Sequence, residues 1–277
     1  MRELVCGRFR LALSRPLVMG IVNVTPDSFS DGGRFASVEN AVSQGRRLIE
    51  EGADFLDIGG ESTRPGAAPV PLAEELGRVL PVLERLADSP VPLSIDTYKP
   101  EVMAAALAAG ASMVNDVKAL REPGALDVLR ASDAAVCLMH MQGEPQTMQV
   151  NPRYEDVVDE VRAFLHERVA ACEAAGIERA RLVVDPGFGF GKSRQHNIEL
   201  LRHLRELVPS GLPLLAGLSR KSVLGKITAR SVDERVHSSV AAALVAVYRG
   251  AAIVRVHDVG STRDAFTVYG AVELNDD

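Results

Sequence analysis

The chain alternates short apolar or β-branched runs with longer stretches of helical period. Eight runs have strand character, over residues 17–23, 54–59, 92–96, 112–117, 134–140, 181–185, 213–219 and 252–257. Helical period appears over 38–51, 73–86, 101–109, 154–175 and 232–249. Pro100 suits a first helical turn, Ser231 and Glu234 have capping-box spacing, and Gly52, Gly110, Gly176 and Gly250 stop helices shortly before the next run. Eight strand-and-helix units predict an α/β fold, a (β/α)8 TIM barrel, and no linker or composition shift divides the chain, so one domain over 1–277 is expected. A doubly wound open sheet would alternate in the same way; the count of eight favours the barrel. Residues 1–15 and 270–277 carry no assignable pattern.

Polar residues recur at one place in this pattern. Asn23, Asp57, Asp96, Asn115, Asp116, His140, Asp185, Ser219, Arg255 and His257 lie late in, or just beyond, a predicted strand. In a barrel those ends converge on one rim, the face that carries active sites. Any one of them could simply start a turn, but turn chemistry alone is a poor account of ten.

Composition narrows the function classes. With 47% hydrophobic and 25% charged residues the chain is ordinary for a globular protein, and no stretch approaches the roughly 20 apolar residues of a membrane span. A net charge of −6, 4% aromatics and no Trp argue against a nucleic-acid partner, while leaving room for a local anion site. Cys6, Cys137 and Cys172 are odd in number and widely spaced, and residues 1–10 hold no apolar signal, so a reduced, cytoplasmic protein is expected. There are only five lysines among 31 basic residues, which singles each of them out.

Five segments carry candidate chemistry. Asn23-Val-Thr-Pro-Asp-Ser-Phe-Ser-Asp-Gly-Gly33 reads as a lid that presents one aromatic, Phe29, over a substrate. Glu61-Ser-Thr-Arg-Pro-Gly66 places the cation Arg64 beside the hydroxyl of Thr63, as an anionic substrate requires. Asp185-Pro-Gly-Phe-Gly-Phe-Gly-Lys-Ser193 is neither a P-loop, since Pro186 stands where its first Gly belongs, nor a dinucleotide fingerprint. It is an acid at a strand end followed by a Gly-rich loop holding Phe188 and Phe190, suited to a flat ring. Ser219-Arg-Lys-Ser222 offers hydroxyls that could cap a helix and leave N–H groups for an anion, and Lys221 there suits a hydrogen-bonding or charge role better than a Schiff base. Arg255 and His257, two apart on the last strand, suit a diphosphate. Asp96, Asn115 and Asp185 fit either a glycosidase carboxylate pair or recognition of a heterocycle with an amidine-like edge, and spacing does not separate the two.

Together with Asp57-Ile-Gly-Gly-Glu-Ser-Thr-Arg-Pro-Gly66, Ser94-Ile-Asp-Thr97, Asn115-Asp-Val117 and Met139-His-Met141, these segments resemble the motif series of the bacterial dihydropteroate synthase family, in order over about residues 17–260. The resemblance implies condensation of 6-hydroxymethyl-7,8-dihydropterin diphosphate with p-aminobenzoate, releasing diphosphate, with Mg2+ assisting, in a homodimer open to sulfonamides. It implies that Asp96, Asn115, Asp185 and Lys221 hydrogen-bond the pterin while Met139, Phe190 and Arg255 pack around it. Asn23, Thr63, Arg255 and His257 would hold the diphosphate, with Mg2+ at Asn23. Phe29, Pro65, Lys221 and Ser222 would shape the aminobenzoate site. Bond breaking leaves positive charge on the pterin methylene, for which Asp31 is the candidate counter-anion. Lys118-Ala119, where the family has a small pair such as Ser-Gly, and Pro71, in place of a capping Ser, depart from the pattern. A pterin-binding methyltransferase barrel would share the pterin residues without needing a diphosphate site.

Overall fold

A computed structural model describes residues 3–24, 33–62, 66–209 and 211–273, with 33–36 as backbone only. Eight parallel strands form the sheet: β3 (Leu17–Asn23), β4 (Phe55–Gly59), β5 (Leu93–Asp96), β6 (Met113–Asp116), β7 (Ala135–Met139), β8 (Leu182–Asp185), β9 (Leu215–Ala216) and β10 (Ile253–Val256). They are hydrogen-bonded in the order β8-β7-β6-β5-β4-β3-β10-β9. A parallel bridge between Val184 and Leu214, with the Val184 N–H donating to the Pro213 carbonyl at 3.1 Å, brings the two ends together. The barrel is thereby nearly closed.

Helices cover the outside: α1 (Gly33–Glu50), α2 (Leu72–Arg85), α3 (Pro100–Ala108), α4 (Ala125–Arg130), α5 (Val157–Ala174), α6 (Arg194–Arg202), α7 (Ser222–Thr228), α8 (Val236–Tyr248) and α9 (Val259–Glu273). Local chemistry fixes their ends. Pro100 opens α3, and the Asp156 carboxylate starts α5 by accepting from Val158 and Asp159 N–H at 2.9 and 3.0 Å. The glycines at 52, 110, 176 and 250 all sit at positive φ, where a side chain would be strained. The Ser231–Glu234 capping box forms, but it closes a separate 3-10 turn, Val232–Glu234, and α8 begins only at Val236.

The unassigned N-terminus has a structural role. Strands β1 (Glu3–Cys6) and β2 (Phe9–Ala12) make an antiparallel hairpin. Its Leu4 and Cys6 are fully buried against Leu17, Met19, Phe55, Met113, Cys137, Val183, Leu215 and Ile253, the apolar floor of the barrel. The Gly7 N–H donates to Asp133 and the Cys6 thiol to Ser112, which fix the hairpin to the ends of two barrel turns. Its alternation was too short to register as a strand pair. Residues 270–273, likewise unassigned, complete α9.

Candidate active site

Two residues above four of the apolar floor residues, the same strands place a charged or amide one: Phe55 and Asp57, Met113 and Asn115, Val183 and Asp185, Ile253 and Arg255. Strand side chains alternate between faces, so i and i+2 both point into the barrel, one layer apart. Parallel register then sets Asp96 beside Asn115 and Met139 beside Asp185.

Asp57 is fully buried, and one of its oxygens, Oδ2, accepts from Arg255 Nε at 2.5 Å and from Asn115 Nδ2 at 3.0 Å. Arg255 Nη2 donates to Asp96 Oδ2 at 2.7 Å. A guanidinium between two carboxylates is the compensation that buried charge requires. Burial pushes the Asp96 carboxyl up to about 7, partly offset by Arg255. Burial opposes the charge on Arg255, but Asp57 and Asp96 outweigh it and hold its pKa above the ordinary value.

At the end of β8 the Asp185 carboxylate accepts from the Gly187 N–H at 2.7 Å. Burial raises its pKa, against the pull of Lys221, the Gly187 N–H and Lys192. The loop that follows runs against the backbone leaving β7: at Gly187 and Gly191 φ is +67° and +65°, and a Cβ would collide with the carbonyls of His140 and Gln142. Lys192, buried, pins this contact through His140 Nδ1 at 2.9 Å and the Phe190 carbonyl at 3.0 Å. Burial and the lysine charge push the His140 imidazole down to about 2, so it stays neutral. Asn197 accepts from the Gly189 N–H at 2.7 Å. The two loop aromatics part ways. Phe188 is fully buried in the core, which corrects the expectation that both hold a ring, whereas Phe190 packs with Met139, Met141 and Met148 on the rim.

Lys221 donates to the Phe188 carbonyl, and its ammonium lies 4.6 Å from the centre of the Phe190 ring. Burial lowers its pKa to about 8 despite Asp185. The expected capping by serine hydroxyls is not what forms: Lys221 is the N-cap of α7 with no side-chain cap bond, and Ser222, its exposed first residue, leaves Ser219 elsewhere. The Ser219 hydroxyl instead accepts from the His257 N–H at 3.2 Å and meets His257 Nδ1 at 3.0 Å. Arg220, at φ +57°, turns away to Asp258, so the chain reverses between Ser219 and Lys221.

A second charged cluster lies where the Glu61–Gly66 segment begins. Lys99 bonds both Glu61 and Glu75, Thr97 donates to Glu75 at 2.7 Å, and Tyr98 to Glu61 at 3.1 Å. Lys118, one of the departures from the family pattern, covers the Tyr98 ring at 4.5 Å. Ala119 and the next residue, Leu120, take φ +54° and +56°, held by Asp116 accepting from the Lys118 and Leu120 N–H groups at 2.7 Å each. Asp116 is therefore a turn former. Pro71 occupies the N-cap of α2 without a side-chain bond.

Of the predicted site residues, Asn23, Asp96, Asn115, Met139, Asp185, Phe190, Lys221, Ser222, Arg255 and His257 belong to strand ends or to the loops that follow them on one rim. Phe29, Asp31, Thr63, Arg64 and Pro65 lie outside the described residues. Sequence reasoning left out Asp57 and Lys192 as functional residues. Asp57 had the signal, a carboxylate on a strand end; Lys192 was hidden by its apparent membership of a failed P-loop. Among the described residues no three His, Cys, Asp or Glu side chains gather to hold a metal, and the end of β3 offers instead the neutral amide of Asn23. That donor fits a cation that brings phosphate oxygens and water with it, not a closed protein cage.

The comparisons with known proteins agree with this geometry. A family model described as pterin binding enzyme matches residues 19–257. A dihydropteroate synthase of Neisseria meningitidis serogroup B is 54% identical over 276 residues, 97% of each chain. A Xanthomonas albilineans dihydropteroate synthase solved with 4-aminobenzoic acid superposes with a TM-score of 0.93 at 59% identity, covering 98% of each chain. The Burkholderia cenocepacia dihydropteroate synthase solved with 7,8-dihydropteroate gives 0.90 at 55% identity, covering 98% of this chain and 96% of that one. With a nearly closed parallel barrel, charged and amide side chains meeting at its rim and full-length similarity of this order, the chain belongs to the dihydropteroate synthase family of pterin-binding transferases.

Proposed function

We propose that the rim holds 6-hydroxymethyl-7,8-dihydropterin diphosphate with its ring among Asp185, Asn115, Asp96 and Lys221, against Met139, Phe190 and Arg255, and transfers the methylene carbon to the amine of p-aminobenzoate. The C–O bond breaks with its electron pair leaving on diphosphate, a C–N bond forms, and the amine releases one proton. The product is dihydropteroate. The observation that carries this reading is the convergence of a buried carboxylate, Asp185, and a partly buried lysine, Lys221, beside an apolar wall of methionines and Phe190. Such a set suits a flat, polar-edged heterocycle.

The leaving group is served by Asn23, Thr63, Arg255 and His257, with Arg64 adding charge nearby in sequence. Mg2+ would be held at Asn23 and would neutralise charge on the departing diphosphate. Phe29, Pro65, Lys221 and Ser222 border the aminobenzoate. An arylamine is neutral at pH 7, so no strong base is required, and positioning with electrostatics carries the reaction. Asp31 offsets the cation if C–O cleavage comes first. Positional isotope exchange in the diphosphate bridge, measured without aminobenzoate, tests this. Scrambling that Asp31→Asn depresses is expected, and its absence in an enzyme that turns over normally would leave direct displacement.

Two coarser features extend the reading. Val245 and Tyr248 on α8 and Val268 and Val272 on α9 are exposed apolar residues, which supports a homodimer through these helices. Three buried, unpaired thiols suit a reducing compartment, here the cytoplasm, and no helix among the described residues is long and apolar enough to cross a membrane. The decisive assay is diphosphate release, which should need both substrates for full rate. Pterin binding without any diphosphate chemistry would favour a methyltransferase barrel.

A further inference from the structure

Asp57 has no contact with solvent and therefore none with substrate, yet it bonds two residues of the ring pocket. An ionised carboxylate only accepts hydrogen bonds, so the Asn115 amide must turn its NH2 toward Asp57. The carbonyl oxygen is left facing the other way. Among the described residues it has no protein partner, and it is not one of the fully enclosed unpartnered atoms, which are Asp57 Oδ1, Ser94 Oγ and Asp96 Oδ1. It opens on the pocket. The second oxygen of Asp185 is in the same position, since only Oδ1 is committed, to Gly187.

We infer that Asp57 is a positioning residue for ring recognition: by taking the Asn115 and Arg255 N–H groups on one oxygen, it fixes Asn115 as an acceptor facing the pocket. With Asp185 the pocket then offers acceptors from two strands and a donor from Lys221. It selects a heterocycle that presents N–H groups on the edges facing Asn115 and Asp185, and rejects an isostere with ring acceptors there. Without Asp57 the amide could present its NH2 instead, and Arg255 would keep only Asp96.

This rests on the proposed function, and the test separates the two. Calorimetry with 6-hydroxymethylpterin should show affinity reduced about tenfold in Asp57→Ala, the effect of one lost pocket hydrogen bond. Asp57→Asn, which keeps an oxygen at the same place, should recover most of that loss. Removal of Asn115 by N115A should cost markedly less in the Asp57→Ala background than in the parent, while Phe190→Leu costs the same in both. The KM for the pterin substrate should rise, and that for aminobenzoate should not. Equal losses for the Ala and Asn variants, or additivity of Asp57→Ala with N115A, would overturn the inference. If Asp57→Ala does not fold, the wild-type enzyme with 15N-labelled asparagine decides. The Asn115 side-chain NH2 signals should be those of a bonded amide before ligand is added and should shift little on pterin binding; a large shift would show the NH2 on the ring. Failure of the wild-type enzyme to condense its substrates would break the functional reading while leaving this measurement intact.

Discussion

The two layers inside the barrel come from the same strands and differ in what they do for the molecule. The lower layer, Leu17, Met19, Phe55, Met113, Cys137, Val183, Leu215 and Ile253, is apolar and is closed from below by Leu4 and Cys6. The upper layer, two residues further along, holds Asp57, Asn115, Asp185 and Arg255. Burial stabilises the first and works against the second: Asp185 and Asp96 have raised carboxyl pKa values, and Lys221 has a lowered one. The barrel thus supports a charged floor for its pocket on an apolar layer that stabilises the fold.

The contrast can be broken from either side, and the largest effect is expected below. Phe55→Ala, in the lower layer, should cost roughly 3 to 5 kcal/mol of stability in a denaturant titration. Pterin affinity of the folded fraction should not change. Asp185→Asn, in the upper layer, should do the reverse, losing roughly 2 to 4 kcal/mol of binding to a pterin analogue because the amide accepts at only one atom. Its melting temperature should hold or rise, since a carboxyl with a raised pKa loses stability as pH climbs from its unfolded value through its folded one. A melting temperature far below the parent would place Asp185 in the stabilising layer instead.

The next effect is on pH dependence. Lys221 keeps its charge below about 8 and sheds it above, so kcat/KM for the pterin substrate should fall on the alkaline side by up to about tenfold, or 1.4 kcal/mol. Lys221→Met should abolish that limb along with most of the activity, and an unchanged limb would assign it to another group. The smallest effect belongs to the rim backbone. Ala119→Gly, at φ +54°, should change stability by less than about 0.5 kcal/mol in a denaturant titration, because relief of the left-handed cost of Ala is offset by the extra entropy of Gly and by the loss of a fully buried methyl.

Much of the barrel was legible because each strand announces itself twice, by an apolar run and by the polar residue that ends it. All eight runs contain an observed strand. The hairpin Glu3–Ala12 was not legible, since two four-residue strands around Gly7 show no more alternation than a loop and acquire their stability only under the barrel floor. Phe188 and Phe190 show the same limit within one loop. Two residues apart among glycines they look equivalent, yet one fills the core and the other lines the pocket.

The sequence by itself determined the fold class, the rim and the family, because strand spacing, the residues that end strands and the order of motifs are all properties of the chain read one position at a time. Partnership was decided only in three dimensions. That Arg255 joins Asp57 and Asp96, from positions 198 and 159 residues away, depends on parallel register bringing separate strands into one layer. That Ser219 serves His257 and not a helix end depends on the left-handed turn at Arg220. That Lys192 is a buried peg between two backbones depends on the close approach of Gly187 and Gly191 to the end of β7. Hydrogen bonds and burial are set by what packs alongside, and no local pattern encodes the neighbour that a closed barrel supplies.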